Sequence, residues 1–155
     1  MHLSQSEEDP VIRGRSLSLL LMLGACATAP MAPEQADQEA KRFDQPAPDK
    51  GAVYIYRAGL MGFVQPIDVA IAGGANARLP YNTYLRLEGP PGPIEVDCRV
   101  GDRTGAGQVQ IADGQTRYVE VTMTVGWLAP GCAVAEVPPD QGQAAVRAAR
   151  RIAVQ

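Results

Sequence analysis

Three cysteines, at positions 26, 98 and 132, carry most of the reactive side-chain chemistry in this sequence. A thiol can be acylated, can form a disulfide or can bind a metal, and its surroundings decide which. The single histidine is His2, and no serine follows Ser18. The chemistry open to the chain therefore depends on the fate of its N-terminal segment.

Cys26 ends the tetrapeptide Leu23-Gly24-Ala25-Cys26, which closes a short apolar run preceded by two arginines. Positive residues, an apolar stretch and then small residues are typical of a cleaved secretory signal. The tetrapeptide resembles the lipobox of bacterial lipoprotein signals. That resemblance implies that Cys26 receives a diacylglycerol, that cleavage precedes it, and that residues 1–25 are a signal peptide. Several acyl chains, at about 0.8 kcal/mol per buried CH₂, would form a stable membrane anchor.

Two other interpretations of the apolar run are weaker. A transmembrane helix needs about 20 apolar residues, and the run from Leu17 to Leu23 is much shorter. A buried core helix would show an amphipathic stripe, and this segment has none and is followed by proline-rich chain. The expected location is therefore the cell envelope. Ala27, rather than aspartate, follows the anchor cysteine, and by resemblance to enteric sorting this favours the inner leaflet of the outer membrane, facing the periplasm.

Catalysis is not expected once the leader is removed. The mature chain would contain neither histidine nor serine, which removes the commonest general base and a common nucleophile. Asp68, Glu95 and Asp97 fall at outward strand positions, where carboxylates are usually solvated. No cofactor is predicted.

Cys98 and Cys132 form an even pair in an oxidising compartment, where a disulfide is the commoner outcome. Closing a loop of about 35 residues would stabilise the fold by about 3 to 4 kcal/mol. The alternative is that both are small buried apolar residues that never meet. No metal site is predicted, because two isolated thiols do not supply a tetrahedral ligand set.

The formal net charge is −3, so nucleic acid is not an expected partner. The chain contains 16 glycines and 13 prolines, and its β-branched residues gather in short clusters. Such a composition favours short strands joined by tight turns. Residues 26–50 are different, because they are rich in proline and poor in apolar side chains. They predict a flexible tether after the lipidated cysteine, spanning roughly 25 to 30 Å as a coil, with at most a helical turn or two over residues 34–43.

Alternating apolar and polar residues predict strands throughout residues 51–137. The expected strands cover residues 52–57, 67–71, 77–79, 83–88, 94–100, 108–111, 117–125 and 132–137, with a hairpin turn at residues 73–76 and a loop at residues 101–105. Cys98 shares a face with Ile94, Val96 and Val100, so its thiol should point into the core. The expected fold is mainly β, a small β-sandwich of immunoglobulin-like or transthyretin-like architecture.

Within residues 51–137 the segments Ala52 to Arg57, Asn82-Thr83-Tyr84, Pro91-Gly92 and Asp113 to Val119 resemble the bacterial domain family DUF2846. That family shows a Val-Tyr-x-Tyr-Arg strand, a Gly-x-Tyr segment, a Pro-Gly turn and a Gly-Gln-x-x-Tyr strand. Asn82 departs from the family, which more often has glycine there, and the histidine common after the Pro-Gly turn is missing. The resemblance implies a β-sandwich and no particular activity.

In residues 138–155 the apolar residues recur every three or four positions instead of every second position, which predicts a C-terminal amphipathic helix. Asp140 is placed to cap it, and Ala145, Ala149 and Ile152 would form the apolar stripe. Arg147, Arg150 and Arg151 would lie opposite as a solvated face that complements the helix dipole. The alternative is that these arginines contact anionic lipid.

The function expected from these features is that of a lipid-anchored envelope protein whose β-sandwich is a non-catalytic interaction module. Its partner would be an envelope protein or a glycan. Tyrosine, tryptophan and arginine dominate binding hot spots, and the candidate binding residues are Tyr54, Tyr56, Arg57, Tyr84 and Trp127. The alternative for the tyrosines is burial beneath a helix or the second sheet. The alternative function is a periplasmic inhibitor or small-ligand carrier, which would require a concave pocket.

Overall fold

The structure, a computed structural model, describes residues 29–59, 62 and 64–154. The predicted signal peptide and the predicted lipobox, Leu23, Gly24, Ala25 and Cys26, lie outside the described residues. The described chain is mainly β, with two sheets and a C-terminal helix. The alternation of apolar and polar residues predicts its strands. Its elements in chain order are α1 (Glu34–Ala40), β1 (Gly51–Arg57), β2 (Ile67–Ile71), β3 (Ala75–Leu79), β4 (Thr83–Gly89), β5 (Gly92–Val100), β6 (Arg103–Ile111), β7 (Thr116–Thr124), β8 (Gly131–Val137), α2 (Pro139–Ala148) and β9 (Arg150–Arg151).

The two sheets differ in how their strands run. The first has the order β8-β7-β1-β4-β9, and in it β1 pairs in parallel with β7 and β4 in parallel with β9. The second has the order β3-β2-β5-β6 and is antiparallel throughout. The inward side chains of both sheets form one core, which includes Val53, Ile55, Val69, Leu85 and Val121. This core and the tyrosine cluster described below are formed by residues from Ala29 onward.

The disulfide joins the two sheets. Cys98 lies on β5 and Cys132 on β8, with their Cα atoms 6.2 Å apart and their sulfurs bonded. Cys98 is 1% exposed, so its predicted inward orientation is confirmed. The sheets approach closely here, because a Cβ added at Gly105 of β6 would lie 2.3 Å from the carbonyl oxygen of Cys132.

The prediction of a flexible tether is wrong for residues 29–50, which we call the strap. The strap begins at the β9 edge of the first sheet, and its helix α1 lies on the outer face of that sheet. Met31 forms a bridge with Ile152, the amide of Ala32 donates to the carbonyl of Arg151, and the amide of Ala153 donates to the carbonyl of Pro30. Backbone hydrogen bonds therefore hold the strap, which compensates for its shortage of apolar side chains.

The predicted C-terminal helix ends earlier than expected. It stops at Ala148, and Arg150 and Arg151 continue as a short strand beside β4. Ile152 is 1% exposed and belongs to the core between the sheets instead of to a helix stripe. The amide of Arg150 donates to the carbonyl of Asn82, so pairing with β4 replaces further helical hydrogen bonds. Among the described residues no helix is long and apolar enough to cross a bilayer.

Candidate functional site

The predicted tyrosine face is buried and is not a docking surface. Tyr54, Tyr56 and Tyr84 are each at most 1% exposed. They lie on the outer face of the first sheet, where they cluster with Tyr118 beneath α1 and α2. Tyr54 stacks on Tyr118 with ring centroids 5.3 Å apart. The alternative interpretation, burial beneath a helix, is therefore the correct one.

Burial holds the tyrosine hydroxyls in the protonated form at neutral pH. Burial raises the pKa of Tyr56 to about 12 and raises the pKa values of Tyr54, Tyr84 and Tyr118 as well. The hydroxyl of Tyr54 donates to the carbonyl of Ala40 in α1. The Tyr54 hydroxyl therefore attaches α1 to the sheet.

Arg57 is likewise buried, with 1% of its surface exposed. Its guanidinium donates to three carbonyl oxygens, those of Gln65 at 2.6 Å, Leu79 at 3.0 Å and Gly62 at 2.7 Å. Burial lowers its pKa, and the carbonyl dipoles oppose that effect by solvating the charge. Arg57 is therefore a positioning residue for the segment between β1 and β2, and the prediction that it contacts a partner is wrong.

Trp127 is fully exposed, at 100% of its reference surface, and is the one candidate binding residue that reaches solvent. Leu128 is 85% exposed, and Val125 and Val64 are each 79% exposed. Together with Met123 at its base, these residues form what we call the tip patch. The patch surrounds a concavity of about 410 Å³ at the end of β7, lined also by the segment that Arg57 holds.

Sequence reasoning identified Trp127 but missed most of its neighbours. Val125 ends the strand predicted over residues 117–125, but β7 ends at Thr124 and Val125 lies beyond it. Val64 had no periodic context that could mark it. One available signal is that residues 125–131 contain no ionisable side chain, which is unusual for an exposed loop.

A second concave surface, which we call the sheet groove, crosses the outer face of β2, β3 and β5. Its volume is about 620 Å³. Its walls carry the charged residues Asp68, Arg78, Asp97 and Arg99. Ala29 and Pro30 of the strap form part of its rim. This is a concave site of the kind that the ligand-carrier alternative requires.

No group of three or more histidine, cysteine or acidic side chains in the described part of the chain is placed to hold a metal ion. Both described thiols are consumed in the disulfide. The tip patch and the sheet groove are the two larger concave surfaces found among the described residues.

Comparison with known proteins adds no assignment: no family model, no curated protein and no solved structure matches this chain. The resemblance to DUF2846 stays a prediction.

Proposed function

We propose that this protein is a lipid-anchored lipoprotein of the bacterial cell envelope whose β-sandwich is a non-catalytic interaction module facing the periplasm. The observation that carries the proposal is the tip patch, with Trp127 fully exposed beside the 85% exposed Leu128. Large apolar side chains grouped at the surface mark contact sites, whereas scattered ones do not.

The tip patch has the composition of a binding hot spot. A tryptophan that enters a pocket on the partner commonly contributes about 2 kcal/mol or more to the binding free energy. Its aliphatic neighbours exclude water from the contact. Arg57 fixes one wall of the patch through three carbonyl contacts. A wall fixed in the free protein lowers the entropy cost of binding.

The strap supports an arrangement in which the patch faces away from the bilayer. Cys26 is three residues from Ala29, so its Cα can lie at most about 11 Å from that of Ala29. The strap begins at the β9 edge, whereas the tip patch lies at the β7 and β8 side of the same sheet. With strands about 4.8 Å apart, these two places are separated by roughly 15 to 20 Å across the sheet. We infer that the occupant of the patch is a periplasmic or envelope protein with an apolar pocket for Trp127.

Site-specific photo-cross-linking in the producing cell tests this. A photoreactive residue at position 127 should give one dominant protein adduct, and Leu128→Ala should weaken it. With the identified partner purified, Trp127→Ala should reduce affinity by about 30-fold or more, corresponding to about 2 kcal/mol.

Tyr81 supplies the matched control, because it is an exposed aromatic residue (38%) outside the patch. Cross-linking from position 81 should not give the same adduct, and Tyr81→Ala should leave affinity unchanged. An adduct with a second copy of the chain or with lipid alone, or equal effects at positions 81 and 127, would refute the proposed partner class.

A further inference from the structure

The sheet groove is built from two rows of outward side chains. The strand register places Arg78, Asp68 and Arg99 side by side across β3, β2 and β5. The next row places Ala70 beside Asp97. Ala70 has a short side chain, so this row leaves a depression between the charged groups.

The charges of the groove alternate in sign. Arg78 is engaged with Asp68, with Nε 3.2 Å from Oδ1. Asp97 and Arg99 are exposed, and within the described residues neither has an ion-pair partner. They lie two residues apart on one face of β5, so their Cα atoms are separated by roughly 7 Å. The groove therefore presents an uncompensated cation and an uncompensated anion a short distance apart.

That pattern fits a zwitterion with an anionic and a cationic group a few bonds apart. Guanidinium groups bind phosphate oxygens with paired N–H donors. A primary ammonium can donate up to three hydrogen bonds to carboxylate oxygens. Phosphoethanolamine carries both groups, joined by two carbons.

We propose that the sheet groove binds the phosphoethanolamine headgroup of a bilayer phospholipid, with the phosphate on Arg99 and the ammonium on Asp97. This inference rests on the proposed lipid anchor for its choice of a bilayer source. Ala29 and Pro30 at the rim follow Cys26 by three and four residues. An anchor that short holds the groove near the headgroup layer, where the local concentration of headgroups is high.

The test uses the chain from residue 26 with Cys26→Ser, which keeps every residue of both buried clusters. Backbone amide shifts are followed by NMR during titration with phosphoethanolamine, phosphocholine or inorganic phosphate. Phosphoethanolamine should shift the amides around Asp97 and Arg99 and bind several-fold more tightly than phosphocholine, whose methylated nitrogen cannot donate to Asp97. Equal binding of phosphocholine or of inorganic phosphate would overturn the proposal.

A flotation assay tests the bilayer source with the same protein. More protein should float with vesicles that contain phosphatidylethanolamine than with phosphatidylcholine alone, and Asp97→Asn with Arg99→Gln should abolish the difference. Asp102→Asn with Arg103→Gln is the matched control, because it removes the same charges from the turn between β5 and β6 and from the first residue of β6, outside the groove. If the control variant loses as much binding as the groove variant, or if vesicle composition has no effect, the proposal is wrong. Intact mass of the membrane-extracted protein reports separately on the anchor.

Discussion

Replacing Asp37 by alanine should release the strap from the β9 edge without unfolding the sandwich. The Asp37 side chain is 19% exposed and accepts three hydrogen bonds. Lys41 Nζ donates to Oδ2 at 2.7 Å, and the Tyr84 hydroxyl and the amide of Arg151 each donate to Oδ1 at 2.8 Å. One carboxylate therefore connects α1 to β4 and β9.

The magnitude follows from these three contacts. Hydrogen bonds to a charged group contribute about 1.5 to 3 kcal/mol each when buried, and partial solvent exposure reduces their sum. We expect Asp37→Ala to lower the free energy of strap opening by about 2 to 3 kcal/mol. Native-state hydrogen exchange of the Ala32 amide, which bonds to Arg151, should then accelerate by roughly 30- to 150-fold.

Glu39→Ala is the matched control, since Glu39 is an exposed carboxylate on the same helix. It should change exchange of the Ala32 amide by less than about threefold, within the usual range for a surface substitution. Equal acceleration in the two variants would refute the assignment of the strap contact to Asp37.

The same carboxylate makes strap closure depend on pH. Burial raises the pKa of Asp37, but hydrogen bonds from Lys41, Tyr84 and the Arg151 amide outweigh that effect, so the pKa falls below its ordinary value of 3.8. A lowered pKa contributes stability that is present above the unfolded value and is lost as pH falls through the folded one. Protection of the Ala32 amide from hydrogen exchange should therefore hold at neutral pH and weaken only below about pH 3.8. This pH dependence should disappear in Asp37→Asn. Unchanged pH dependence in that variant would assign it to another group.

Three further changes test the fold around the sites. Reducing the bond between Cys98 and Cys132 should lower the free energy of unfolding by about 3 to 4 kcal/mol in chemical denaturation, and no change would mean that the bond does not form. Gly142→Ala should cost about 2 to 3 kcal/mol, because the added Cβ would lie 2.3 Å from Cγ of Tyr118; unchanged thermal stability would contradict this helix packing. Arg57→Lys should weaken partner binding at the tip patch by about tenfold, since a lysine cannot supply the fork to three carbonyls, and full binding would show that the patch wall does not need it.

The strands were predictable because their physical cause is local. Alternation of period two places Val96, Cys98 and Val100 on one buried face, and residues that accept positive φ mark the turns. Gly73 and Gly74 adopt positive φ in the predicted hairpin. The strand β6 was underestimated: the predicted loop over residues 101–105 gives way to pairing from Arg103, because β5 offers partners for its full length.

The strap could not be predicted, and the burial of the tyrosines could be stated only as one of two alternatives, because the causes of both are non-local. Asp37 and Arg151 lie 114 positions apart and meet through a carboxylate and a backbone amide, which leave no periodic signal. Tyr54 and Tyr56 alternate with apolar residues as in a half-exposed strand, yet every residue of β1 is buried. Two short helices cover that face, and sequence patterning alone does not show where a helix will pack.

The candidate site residues show the same difference between local and non-local causes. Trp127 was singled out by its residue type, and the structure shows that it is exposed; its role as an anchor stays a prediction. Arg57 was assigned to the wrong role, because its three carbonyl partners come from segments that meet only in the folded chain. The sheet groove depends on cross-strand register, which brings Asp68, Arg78 and Arg99 into one row.

The intact mass of the protein extracted from membranes of the producing cell decides whether the chain is lipid-anchored. We predict a chain that begins at Cys26 and carries the added mass of a diacylglycerol and an N-acyl chain. Cys26→Ser should abolish both the added mass and membrane retention. A chain that keeps residues 1–25, or an unmodified chain beginning at Cys26 in the soluble fraction, would contradict the lipid anchor and the orientation inferred from it.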